Sequence, residues 1–308
     1  MADVDLTPTM PPPPTTERCY RHPDVETGVH CTRCGRPICP DCMVPAPVGH
    51  QCPQCVADAR REYRRGPGRR AAVTSVGTTG ATALILAAIG IGYVWELVVA
   101  GGPGSFVGGP SGRALFDAGA MFPPAIAAGQ WWRIATSIFL HAGLIHLLLN
   151  SYVLWIFGAV IEREVGRAAT IGVFLATGIF ASAASYAFSP VNSLGVGASG
   201  AIFGLVGAFI AYNYARRSNV LAQARLRAAL TMLLLNAVIG FTIPAIDWRA
   251  HLGGLVAGFV AGYVVEPGRP AGRRLALSIL GLAGIVVVAV VLVAWRTAQL
   301  RSGALSPF

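Results

Sequence analysis

The sequence predicts an all-α, polytopic membrane protein with a small cysteine-rich domain ahead of its first membrane helix. Three observations predict it. Of the 308 residues, 54% are hydrophobic and only 12% are charged, which is too apolar for an ordinary soluble domain. Seven apolar runs follow one another after residue 73, most of them long enough to cross a hydrocarbon core of about 30 Å. All seven cysteines precede the first run.

Residues 1–16 contain MPPPPTT and read as a disordered tail. Their acidic, proline-rich character argues against a cleavable signal peptide. The next segment, 17–57, carries the strongest spacing signal in the chain. Four two-ligand clips follow one another: Cys19 with His22, Cys31 with Cys34, Cys39 with Cys42, and Cys52 with Cys55. Eight thiolate or imidazole ligands suit two tetrahedral zinc ions of the closed, structural type. In a reducing cytoplasm metal binding outranks disulfides. His30 and His50 are rivals for a ligand place. The order of clips resembles B-box-like cross-brace zinc fingers over residues 19–55. That resemblance implies that the first and third clips share one metal and the second and fourth the other. The module reads either as a metal-stabilised knob or as a docking module for a cytoplasmic partner, and neither reading needs zinc in catalysis. Residues 58–73 read as an arginine-rich linker.

The apolar runs lie near 74–100, 134–160, 168–188, 198–215, 226–246, 250–266 and 275–295, the fourth and sixth being short. A net charge of +10 raises nucleic acid as a ligand, but every basic residue is an arginine and their placement follows the membrane. Arg60, Arg61, Arg64, Arg65, Arg69 and Arg70 precede the first run, Arg163 and Arg167 follow the second, Arg216, Arg217, Arg225 and Arg227 follow the fourth, and Arg269, Arg273 and Arg274 follow the sixth. The positive-inside rule then puts the N-terminal module in the cytoplasm and the C-terminal tail outside, with no nucleic-acid partner. Arg296 and Arg301 in the tail depart from the pattern.

Ionisable and polar side chains within a membrane are costly, so each is a functional hypothesis. Here they gather at one level. Ser199 is seventeen residues above Arg216, about 25 Å at 1.5 Å per residue. His251 is fifteen above Glu266, about 22 Å, and His146 seventeen above Arg163, with Asn150 one turn deeper. Each residue alone has a plain packing explanation, but a serine, two histidines and an asparagine at one depth supply a nucleophile, a base and oxyanion donors.

The local pattern agrees. Ser199 follows the turn-rich stretch SPVNSLGVGA, which places it in the first turn of a helix, where unpaired amides can face a developing anion. His146 and Asn150 share a helix face at i and i+4. Gly254, Gly258 and Gly262 form a stripe below His251, answered by Gly200, Gly204 and Gly207, so the two helices can approach closely.

Assembled in this way, residues 75–266 resemble the rhomboid intramembrane serine proteases. GQWWRIATSIFLHAGLIHLLLN carries the family's Trp-Arg pair as Trp132 and Arg133 and its H-x4-H-x3-N pattern as His141, His146 and Asn150; GASG carries Ser199, and AHLGG carries His251 and Gly254. The resemblance implies a six-helix core over 74–266 with a seventh helix and tail at 267–308. It also implies a Ser199–His251 dyad, and an oxyanion site from His146, Asn150 and the Ser199 amide. Trp132 and Arg133 would lie in the first external loop, and His141 would be structural. No cofactor would take part in catalysis. Two departures stand out: Phe203 where some members carry tyrosine, and Ile246 where a glycine is expected. Asp247, one turn before His251, is read as a helix-end residue and not a third catalytic group. Phe241 and Pro244 are candidates for a lateral gate.

The implied activity is cleavage of transmembrane proteins near the external face of a cell membrane. Arginine, alanine and glycine usage hints at a bacterial genome. The alternative is a non-catalytic relative that binds and routes membrane proteins. A transporter is disfavoured because no carboxylate is expected mid-membrane.

Overall fold

A computed structural model describes residues 17–46, 48–65, 80–102, 109–242, 246–266 and 271–303. The chain divides into two compact units between residues 77 and 78.

The first unit is built from two minimal antiparallel hairpins. One pairs β1 (Glu17–Arg18) with β2 (Glu26–Thr27), the other β3 (Val44–Pro45) with β4 (His50–Gln51), and helix α1 (Pro53–Arg65) follows. Its interior consists of Ile38 and six of the seven cysteines. So few apolar side chains cannot hold some fifty residues together, and a metal ion held by the cysteines would supply what such a core lacks. Helix α1 opens on proline, whose fixed φ suits a first turn, and continues to Arg65 through residues expected to be linker. Alanine, glutamate and arginine are strong helix formers, which explains the extension.

The second unit contains α2 (Gly80–Val99), α3 (Gly112–Ala118), α4 (Pro123–Ala127), α5 (Arg133–Thr136), α6 (Leu144–Val165), α7 (Arg167–Phe188), α8 (Ser199–Ala215), α9 (Val220–Thr242), α10 (Trp248–Val264) and α11 (Ala271–Arg301). Helices α2, α6, α7 and the 275–301 part of α11 are long and apolar enough to cross a bilayer. This is a multi-pass membrane protein. Helix α8 is shorter, 17 residues or about 25 Å, and it is the central one. Apolar helices normally show lipid one face, yet 12 of its residues are buried, against α6, α7, α9 and α10.

Glycine explains how α8 and α10 come together. A Cβ on Gly254 would overlap the Gly200 carbonyl, one on Gly258 the Gly204 carbonyl, and one on Gly207 the Leu255 carbonyl. In lipid, where apolar surface alone does not drive helices together, such backbone contact supplies the packing.

The second apolar run needs a correction. It was expected as one helix over 134–160, but its first ten residues form α5, a 3-10 turn (Ser137–Phe139) and a loop, and α6 starts only at Leu144. Gly143, at φ +146°, makes the bend, a conformation open only to glycine. Arg133 holds this segment in place. Its buried guanidinium donates to the carbonyls of Phe116 (2.7 Å) and Ala120 (3.0 Å) and to Gln130 Oε1 (2.7 Å), and lies 4.1 Å above the Phe116 ring. Hydropathy does not distinguish such a loop from a spanning helix. Trp131 and Trp132 project outward from it, in keeping with an interfacial loop.

At the other end of α6, the Glu162 carboxylate accepts from the amides of Ala81 (2.9 Å) and Thr82 (2.8 Å), capping the first turn of α2. Helix α11 is tied to the core near its C-terminal end. Thr297 Oγ1 lies 2.8 Å from Tyr186 Oη, Arg296 donates to the Ser189 carbonyl and Arg301 to the Ala127 carbonyl. Both arginines that depart from the charge pattern are thus committed to backbone acceptors.

Candidate active site

Ser199 opens α8. The residue two before it, Gly197, has φ +131° and donates its amide to the Ser137 carbonyl (2.9 Å), which bends the incoming loop so that the helix starts inside the protein. His251 lies in the first turn of α10, and its Nε2 is 2.8 Å from Ser199 Oγ. The depth count explains why they meet: Arg216 and Glu266, the starting points on the two helices, pair with each other at the opposite end. The ring of Phe203 stacks on the imidazole at 4.3 Å and 10°, so the contact expected of a tyrosine there is kept without a hydroxyl.

His146 faces the same point. A Cβ placed on Gly197 would sit 2.9 Å from His146 Cε1, 3.0 Å from Nε2 and 3.6 Å from Ser199 Oγ, so glycine keeps open a cradle between imidazole and hydroxyl. The Ala142 amide donates to His146 Nδ1 (3.3 Å), which leaves the ring proton on Nε2, the nitrogen facing the cradle. Asn150 is buried, and its Nδ2 donates one hydrogen to the His146 carbonyl (3.1 Å), with a second hydrogen left to give. A hydroxyl bound to one imidazole, with a second imidazole N–H facing the same open cradle, is an arrangement suited to acyl transfer.

His141 is fully buried and packs edge-on to His146 at 5.2 Å between ring centres. Its backbone amide donates to the carboxylate of Glu96, itself fully buried near the end of α2. Glu96 and Glu162 were not singled out in the sequence, although a carboxylate inside an apolar run is a signal in its own right. Asp247 does not complete a triad. One carboxylate oxygen caps α10 by accepting from the amides of Arg249 (3.1 Å) and Ala250 (3.2 Å), and the other accepts from Ser185 Oγ. Asp247 meets Arg249 through the backbone amide, while the Arg249 guanidinium lies over the Trp248 ring. With this cap in place, α10 begins in order despite Ile246. Of the gate candidates, Phe241 belongs to the last turn of α9, and Pro244 falls outside the described residues.

In the first unit the eight clip residues form two groups, Cys19, His22, Cys39 and Cys42, and Cys31, Cys34, Cys52 and Cys55. Within each, the ligand atoms lie within 4.8 Å of one another. A tetrahedral ion with 2.3 Å bonds to sulfur sets its ligands about 3.8 Å apart. The separation of Cys34 and Cys52 is 3.8 Å, and His22 Nδ1 is 3.1 Å from Cys39 Sγ, 3.5 Å from Cys42 Sγ and 4.0 Å from Cys19 Sγ. Both groups can hold a metal ion, first clip with third and second with fourth. Burial pushes the Cys19 thiol up, but hydrogen bonds from the amides of Cys39, Arg21 and His22 outweigh it and bring it down to about 6. Burial and neighbouring thiols push Cys55 up to about 12. Within the second group, burial pushes Cys31 up but amide hydrogen bonds outweigh it and bring it down to about 6, against about 12 for Cys55, and four sulfurs so unevenly disposed to ionise need a shared cation to be thiolates together. The rivals stand apart, since neither belongs to a group: His30 pairs with Glu17 (3.2 Å), and His50 lies in β4, its carbonyl accepting from the Thr32 amide.

A family model for the rhomboid domain matches residues 128–267. The chain is 38% identical over 154 residues to "Rhomboid protease GluP" of Bacillus subtilis (strain 168), covering 50% of this chain and 30% of that protein. It is 36% identical over 139 residues to "Putative rhomboid protease YdcA" of the same organism, covering 45% and 69%. The chain belongs to the rhomboid family. It is also 34% identical over 161 residues to "RHOMBOID-like protein 6, mitochondrial" of Arabidopsis thaliana, covering 51% of each chain. It therefore spans under a third of GluP and about half of the Arabidopsis relative. The rhomboid segment contains Trp132, Arg133, His141, His146, Asn150, Ser199, Phe203, His251 and Gly254, while the Cys/His module, α2 and α11 lie outside it.

Proposed function

We propose that this chain is an intramembrane serine endopeptidase that cleaves transmembrane proteins near the external membrane face. The observation that carries the proposal is the 2.8 Å contact of Ser199 Oγ with His251 Nε2, beside the glycine-lined cradle. In this reading His251 takes the Ser199 proton as Oγ attacks a substrate carbonyl carbon. The resulting oxyanion lies in the cradle and accepts from His146 Nε2–H, Asn150 Nδ2–H and the Ser199 amide. His251 then gives the proton to the departing amine, leaving an ester on Ser199. Water, deprotonated by His251, cleaves that ester and restores the hydroxyl. Stacking on Phe203 keeps the imidazole plane fixed through both halves.

The arginine distribution supports a cytoplasmic N-terminus and an external C-terminus, which sets the dyad toward the outer leaflet. We assign residues 17–57 to a cytoplasmic module with two structural zinc ions, serving as a docking site for a cytoplasmic protein, and 74–266 to the catalytic core. The routing alternative gains no support from the site, where both reacting groups are in place.

The test is cleavage of a single-span transmembrane substrate co-reconstituted in liposomes, with the product ends mapped by mass spectrometry. Ser199-dependent cleavage within the outer half of the span is expected. Intact substrate, or cleavage that persists in Ser199→Ala, overturns the proposal.

A further inference from the structure

One buried polar chain outside the dyad leads from the last helix to the first turn of α10. Arg296 of α11 is only 8% exposed and donates through Nη2 to the Ser189 carbonyl at 3.1 Å. Ser189 Oγ is 3.3 Å from Ser185 Oγ, both buried at the end of α7. Ser185 Oγ donates to Asp247, whose second oxygen receives the amides of Arg249 and Ala250. His251 is the next residue, and its own amide closes the first turn onto the Asp247 carbonyl (3.2 Å).

Such a chain has a mechanical consequence. The first turn of a helix has no preceding carbonyls to bind its amides, so its side-chain cap decides how firmly it is held. His251 sits in that turn and meets Ser199 across two helices whose glycine contact fixes their separation lower down. What remains to be fixed is the rotation and tilt of the first turn, and Asp247 reaches both its amides and the α7 serine. A buried guanidinium at this level is costly unless something uses it. Arg296 orients the Ser189 backbone, and with it the hydroxyl pair that meets Asp247.

We propose, building on the hydrolase reading above, that Asp247 is a positioning residue that holds His251 in register with Ser199, and that Arg296 of α11 anchors it through Ser189 and Ser185. The seventh helix, outside the rhomboid segment, is then coupled to the reaction.

The test uses the full chain in detergent and compares wild type, Ser199→Ala, Asp247→Ala, Asp247→Asn and Arg296→Met. The readouts are the rate of covalent labelling by a fluorophosphonate, kcat and KM for a transmembrane substrate, and thermal unfolding. Displacing a reacting group by about 1 Å costs on the order of a hundredfold. Asp247→Ala is accordingly expected to lower labelling rate and kcat by about ten- to a hundredfold, with KM unchanged. Asparagine still accepts the helix amides and can donate to Ser185, so Asp247→Asn restores most of kcat. Arg296→Met lowers kcat in the same direction by a smaller factor, and decides the matter if Asp247→Ala does not fold. Wild-type kcat in folded Asp247→Ala or Arg296→Met, or a change confined to KM, overturns the proposal and leaves the hydrolase reading standing. A wild type that neither labels nor cleaves in a Ser199-dependent way overturns both.

Discussion

Replacing Gly197 with alanine probes the cradle between His146 and Ser199 without removing any reacting group. The new Cβ would lie 2.9 Å from His146 Cε1 and 3.0 Å from Nε2, where ordinary contact begins at 3.4 Å. The imidazole must therefore retreat by about 0.5 Å or the loop must move. Neither is free to do so. His146 is held by the Ala142 amide and by the edge of His141, and the Gly197 amide is bound to Ser137. The backbone itself, at φ +131°, adds about 1–3 kcal/mol of strain for a residue with a side chain. If His146 is an oxyanion donor, losing its alignment removes about 2.7–4 kcal/mol of transition-state stabilisation, a fall of roughly 10² to 10³ in kcat. The assay is initial-rate cleavage of a reconstituted transmembrane substrate, with kcat and KM resolved and thermal unfolding measured in parallel. A folded Gly197→Ala protein with kcat within about threefold of wild type refutes this reading of the cradle.

Three other outcomes follow from the same structure. Asn150→Ala removes a donor and should lower kcat by about 10² with KM little changed, in single-substrate kinetics; an effect on KM alone would assign Asn150 to substrate binding. Gly258→Ala pushes a methyl into the Gly204 carbonyl, and overpacking of that kind costs about 1–3 kcal/mol, seen as a lower unfolding temperature in detergent; an unchanged temperature would mean that the glycine contact carries no packing energy. Cys39→Ser should lower bound zinc from two ions per chain to one, by elemental analysis, and leave cleavage of a test substrate in place; loss of cleavage would give the module a part in catalysis.

Much of the site was legible because its spacing is local. The i, i+4 relation of His146 and Asn150, the glycine stripes and the paired clips are each written within one segment, and the depth count along α8 and α10 needs only the helical rise. What escaped depends on partners distant in sequence. The stretch from Ile134 to Leu140 has the composition of a membrane helix, and it is bonds to distant residues, such as those from Arg133 to Phe116 and Ala120 and from the Gly197 amide to Ser137, that hold it as a folded loop. Glu96 stands out as a carboxylate inside an apolar run, but its partner, the His141 amide, lies forty-five residues on. Asp247 was recognised as a helix-end residue, but its partner Ser185 lies sixty-two residues away on α7. Arg296 looked like an exception to a charge rule, and its reason is an acceptor on a loop that no periodicity predicts.

The most direct test of an activated serine is covalent labelling of the detergent-solubilised protein by a fluorescent fluorophosphonate, with wild type, Ser199→Ala and His251→Ala compared side by side. Labelling of wild type that is lost in both variants is the predicted result, since the hydroxyl reacts only when the imidazole takes its proton. A folded wild type that stays unlabelled, or labelling that survives His251→Ala undiminished, would contradict the dyad.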